Sequence, residues 1–105
     1  MTKYYEAHIT MTGDPEILKP LVEATKWKFS CIDGDANLGD GIKCYATKQM
    51  NLRIGEEGAL SSLFQTARIL IEQDVKVIRQ KIELVIFDSK IDKVACAGNC
   101  PECVG

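Results

Sequence analysis

The chain has 105 residues, 46% hydrophobic and 27% charged, with 13 Lys+Arg against 15 Asp+Glu and a net charge of −2. That size and mix read as one globular domain, and the acidic balance argues against duplex DNA or an anionic membrane as main partner, since both need a basic surface. The longest apolar runs, such as Leu84-Val85-Ile86-Phe87, are too short to span a bilayer and the N-terminus shows no signal-peptide pattern, so a cytoplasmic protein is expected.

Lys3 to Met11 reads as a strand, because Tyr4, Glu6, His8 and Thr10 alternate with Tyr5, Ala7, Ile9 and Met11. Gly13-Asp14-Pro15 then opens a helix, with Asp14 as N-cap and Pro15 at the first helical position. Ile17, Leu18, Leu21 and Val22 recur at helical spacing up to about Thr25, and Pro20 is placed to bend this helix. Trp27 to Ile32 reads as a second strand and Ile42 to Gln49 as a third, with Asp33-Gly34-Asp35 and Gly39-Asp40-Gly41 bracketing a turn-rich connection. Glu56 to Gln73 predicts an amphipathic helix through Leu60, Leu63, Phe64, Ala67, Leu70 and Ile71, with Glu56 and Glu57 suited to its N-terminus. Val75 to Phe87, long and rich in β-branched residues, is the fourth strand.

The order βαββαβ predicts an α+β fold of the ferredoxin-like kind, a four-stranded antiparallel sheet with both helices on one face, over residues 1–90, with 91–105 as a cysteine-containing tail. Right-handed crossovers put strands one and three in the centre, strand four beside strand one and strand two beside strand three. Tyr5, Ala7, Ile9 and Met11 should face the helices, as should Ile42, Cys44 and Ala46, and Ile78, Ile82, Leu84 and Ile86. The open face then presents Tyr4, Glu6, His8 and Thr10 beside Lys43, Tyr45, Thr47 and Gln49, with Arg79, Lys81 and Glu83 from strand four. His8 is the only histidine. Solvated sheet faces are polar as a rule, but this one gathers a histidine, hydroxyls, a phenol and cations near its middle.

Ala7-His8-Ile9-Thr10 and Cys44-Tyr45-Ala46-Thr47 open the two βαβ halves, so His-x-Thr in one matches Tyr-x-Thr in the other. His8-Ile9-Thr10 on a strand resembles one half of the 2H phosphoesterase signature, a superfamily with two His-x-Thr/Ser motifs on pseudo-symmetric lobes. Its members include RNA ligase-like cyclic phosphodiesterases and enzymes that act on cyclic nucleotides. There one histidine is general base, the other general acid, and the hydroxyls hold the phosphate. The resemblance implies those parts for His8 and Thr10. In the second motif Thr47 matches the hydroxyl, while Tyr45 stands where histidine is expected. The segments YYEAHIT and RQKIELVIFDS also resemble small uncharacterised phage and bacterial proteins, which implies no activity.

The expected function is therefore binding or hydrolysis of a small phosphorylated ligand, such as a cyclic nucleotide or cyclic phosphate. Histidine titrates near neutrality and suits proton transfer. Thr10 and Thr47 can donate to phosphate oxygens, Lys43, Arg79 and Lys81 can neutralise charge, and Glu83 completes the expected ligand-binding set. An unperturbed phenol titrates near pH 10, so tyrosine is a weak acid for this step. A homodimer would bring two copies of His8 together. The competing expectation is a non-enzymatic protein-interaction module anchored by Tyr4, Trp27 and Tyr45. An RNA-binding sheet of the RRM type shares the topology, but its aromatic pattern is missing from strands one and three.

Five cysteines divide into two groups. Cys31 and Cys44 read as buried strand thiols in a reducing compartment. Cys96, Cys100 and Cys103 have Cys-x3-Cys-x2-Cys spacing, which resembles the iron–sulfur triplet of radical S-adenosylmethionine enzymes. Those enzymes carry it in a large barrel for which this chain lacks the length. The three thiols suit Zn²⁺ but need a fourth ligand from Cys31, Cys44, solvent or another subunit, and a Cys100–Cys103 disulfide competes under oxidation. No cofactor and no tightly bound structural metal are expected.

Overall fold

A computed structural model describes residues 3–32, 43–87 and 89. Four strands and two helices follow one another along the chain: β1 (Tyr4–Thr12), α1 (Pro15–Ala24), β2 (Lys28–Ile32), β3 (Lys43–Asn51), α2 (Gly55–Glu72) and β4 (Lys76–Val85). The strands form one antiparallel sheet of order β2-β3-β1-β4. The tail with Cys96, Cys100 and Cys103, and Ile42 of the expected third strand, lie outside the described residues.

Local chemistry sets the helix ends. The Asp14 carboxylate accepts a hydrogen bond from the Glu16 N–H at 2.9 Å, and Pro15 sits at the first position, where a missing N–H costs nothing. Pro20 stands inside α1, on its exposed side, and the helix continues past it for one more turn. Both helices close on a left-handed residue, Lys26 (φ 71°) after α1 and Asp74 (φ 65°) after α2. The Val75 N–H reaches back to the Leu70 carbonyl at 3.1 Å and satisfies an orphan acceptor of the last turn of α2. Ahead of α2 runs a 3-10 turn, Leu52–Ile54, that the sequence pattern does not announce.

One face of the sheet carries the core. Ala7, Ile9 and Met11 of β1 and Cys44, Ala46 and Met50 of β3 pack against Leu18 and Val22 of α1 and Ala59, Leu63, Ala67 and Leu70 of α2, with Trp27 and Val75 at the margins. Four of the apolar positions at helical spacing are exposed instead of buried: Ile17 on α1 and Leu60, Phe64 and Ile71 on α2. Leu60 and Phe64 overhang Val77, Ile78 and Ile82 of β4, the edge strand of the sheet among the described residues.

The register of β4 differs from plain alternation. Thr10 pairs with Arg79 but Met11 pairs with Val77, so Ile78 is an extra, bulged residue. Val77 takes the half-buried helix-facing place expected of Ile78, which is 43% exposed. Ile82 and Leu84 stay on the helix side opposite Ala7 and Tyr5, but Leu84 is exposed there, as is Ile86 past the strand end. Cys44 is buried as expected, but Cys31, on the outer strand β2, is exposed. Among the described residues no helix is long and apolar enough to cross a membrane.

Candidate functional site

The register turns the open face into a grid. Across one row run Ser30, Tyr45, Thr10 and Arg79; across the next run Lys28, Thr47, His8 and Lys81; Gln49, Glu6 and Glu83 form a third. Paired residues in an antiparallel sheet point to the same face, so the two Thr-containing motifs necessarily sit side by side. The bulge at Ile78 matters here, because it keeps Arg79 opposite Thr10 while the strand below it changes phase.

His8, Thr10, Tyr45 and Thr47 line one concavity of about 430 Å³, together with Arg79 and Lys81 from β4. Two further walls come from β2, Ser30 and Ile32. Of the other expected ligand-binding residues, Lys43, paired with Thr12 and Ile32, and Glu83, beside Lys81, do not line it.

His8 is held from both sides. Its Nδ1 lies 3.2 Å from the Thr47 hydroxyl, and its Nε2 lies 2.8 Å from a Glu6 carboxylate oxygen and 3.7 Å from one of Glu83. A proton on Nε2 donates to Glu6, which leaves Nδ1 free to accept the Thr47 O–H; a doubly protonated ring donates to both. A carboxylate, an imidazole and a hydroxyl in series is the general pattern for orienting a base toward a reacting group. Glu83 is tied to Lys81, with Nζ and Oε1 2.9 Å apart. That hydrogen bond and the charge of Lys81 hold the Glu83 carboxyl below the usual carboxylate range, with smaller help from His8 and Arg79. No ion pair engages Arg79 among the described residues. The face is thus polarised: carboxylates crowd the Glu6 end, and an unpaired guanidinium with hydroxyls marks the Thr10 end.

Two of the three anchors expected of an interaction surface are not surface residues. Trp27 is 3% exposed and belongs to the core, and Tyr4 is 7% exposed even though it lies on the open-face side of β1. Tyr45 alone of the three borders open space. Strand alternation alone could not show this, since it sorts faces without saying what covers them. Sequence reasoning also left Ser30 and Glu6 out of the site; the alternation of β2 would have found Ser30, and Glu6 stands two residues from His8 on the same face. No cluster of three His, Cys, Asp or Glu suited to a metal ion occurs among the described residues.

No family model, no curated protein and no solved structure matches this chain.

Proposed function

We propose that the open sheet face holds a small phosphorylated molecule, a cyclic nucleotide or another cyclic phosphate, on a chain folded as a ferredoxin-like βαββαβ sandwich. The observation that carries this reading is the convergence of Thr10, Thr47, Ser30 and Tyr45 with Arg79 and Lys81 around one concavity that His8 also enters. Hydroxyls and a guanidinium supply the donors that phosphate oxygens need, and charge-assisted bonds of this kind are the strong ones. The phosphate belongs at the Thr10–Arg79 end, because Glu6 and Glu83 repel an anion from the other. Hydrolysis would use the same parts: His8, oriented by Glu6, takes a proton through Nδ1 by way of Thr47 or an incoming water, and Tyr45 occupies the place of the acid.

Calorimetric titration of a panel of cyclic and linear nucleotides tests it. At least one member binds the wild type, and His8→Ala, Thr10→Ala and Arg79→Met each weaken that same ligand by roughly 1.5–3 kcal/mol, about ten- to a hundredfold. His8 and Arg79 are accessible enough that their loss leaves the fold intact, which circular dichroism checks. A panel without a binder, or a His8→Ala protein that binds its ligand unchanged, ends the proposal.

A further inference from the structure

Cys31 and Cys44 stand directly opposite each other across β2 and β3. Both are free thiols, and their Sγ atoms lie 2.6 Å apart, about half an ångström beyond an S–S bond length. Directly opposed residues of antiparallel strands have Cα atoms roughly 4.5–5.5 Å apart, within the span of about 4.4–6.8 Å that a disulfide bridges. The strands therefore need not move for the sulfurs to join. Access to the two is unequal: Cys44 is fully buried in the core, whereas Cys31 is exposed on the outer strand.

We propose that Cys31 and Cys44 are a disulfide-forming site, with Cys31 the entry thiol and Cys44 the resolving thiol, and that the bond once made is a slowly reduced staple between β2 and β3. The oxidant is a small-molecule disulfide. The Cys31 thiolate attacks one of its sulfurs, forms a mixed disulfide and releases the first small thiolate, which takes up a proton. Cys44 then gives up its proton and attacks the Cys31 sulfur, and the second small thiol leaves. Two protein thiols lose two electrons and two protons in all, and one small disulfide becomes two thiols.

Reduction must run back through the same door. An incoming thiol reaches only the Cys31 sulfur, so Cys44 must leave as its thiolate. Burial pushes the Cys44 thiol up from 9.0 to about 12, with the hydrogen bond and charge of Cys31 and a smaller push from Asp14 adding to it. Burial, the largest of these causes, persists when the Cys31 sulfur is bonded in a disulfide, so the Cys44 thiolate is a poor leaving group and the closed bond resists reduction. The same burial slows the resolving step, which accordingly quickens as pH rises. The staple pins the outer strand that carries Ser30 and Ile32, two walls of the concavity.

The test uses the full chain with Cys96, Cys100 and Cys103 changed to Ser, so that Cys31 and Cys44 are the remaining thiols. The reduced, folded protein is incubated with glutathione disulfide, alkylated and cut with trypsin, which separates the two cysteines at Lys43. The expected product is one linked species of residues 29–43 and 44–48, two hydrogens lighter than its parts, in a protein whose thermal midpoint has risen by roughly 10 °C. Cys44→Ser stops at the glutathione adduct on Cys31, and glutathione strips that adduct at least about tenfold faster than it opens the linked form. A parent protein that stays at the Cys31 adduct overturns the proposal. So does modification that reaches Cys44 first, a linked form with an unchanged or lowered midpoint, or one that glutathione reduces as fast as the adduct.

Discussion

His8 shows how a residue on an open sheet acquires a fixed chemistry from its neighbours. Glu6, two positions earlier on β1, and Thr47, its cross-strand partner, take one ring nitrogen each, so the ring's orientation is set before any ligand arrives. Lys81 does for Glu83 what Glu6 does for His8. Because Lys81 is the main cause of the low Glu83 titration, Lys81→Met should move that carboxyl up toward the ordinary glutamate range, as followed by NMR of the side-chain carboxyl. The sign follows from linkage: a carboxyl held low in the fold favours the folded state above its unfolded titration point, and that contribution disappears as pH falls through the folded value. Glu83 titrating at the same pH with and without Lys81 would contradict the assignment. Tyr45→His restores the second His-x-Thr motif beside Thr47; under the proposed function it raises turnover of a bound cyclic phosphate without tightening its binding, since the added group serves the leaving oxygen. The four expected site residues were legible because period-two alternation and an antiparallel pair of central strands suffice to bring His-x-Thr and Tyr-x-Thr together. What could not be read was the direction in which the His8 ring nitrogens point, which depends on side-chain rotamers and on Glu6.

At the scale of elements, backbone conformation at two positions outside the core decides the sign of a mutation. Gly55 joins the 3-10 turn to α2 at φ 73° and ψ 168°, a region open to glycine almost alone, and a Cβ there would meet no atom within 4 Å. Gly55→Ala should therefore cost about 1–3 kcal/mol through backbone strain and nothing through collision. Lys26 is the reverse case, a side chain held at φ 71° where α1 ends. Lys26→Gly should gain roughly 0.5–1 kcal/mol, the relief of left-handed strain less the added chain entropy. Urea unfolding of both variants checks the pair, and effects of the same sign would contradict the conformations assigned here. Helices and strands were legible from their periods, with Asp14-Pro15 marking one start unambiguously. The 3-10 turn and the bulge at Ile78 were not: Leu52-Arg53-Ile54 keeps a strand-like alternation, and Val77 and Ile78 are both suited to face inward, so that only the pairing to Met11 chooses between them.

For the whole molecule, the consequence of the order β2-β3-β1-β4 is an uneven distribution of stability. β1 is paired on both sides and buries Ala7, Ile9 and Met11 completely, and β3 is paired on both sides as well. β2 is five residues long, pairs with β3 alone among the described residues, and leaves Lys28, Ser30, Cys31 and Ile32 exposed. Little apolar area then opposes the opening of β2 alone, whereas opening β1 dismantles the core shared by both helices. Amide hydrogen exchange of the reduced chain should find the slowest protons between Ala7 and Met11 and at Cys44–Ala46, near the limit set by global unfolding. The paired amides of β2 should exchange at least about a hundredfold faster, through local opening. Closing the Cys31–Cys44 bond should erase much of that gap, because β2 then leaves the sheet only if β3 leaves with it. Equal protection of β2 and β1 in the reduced chain would show that the outer strand is held by more than its pairing to β3.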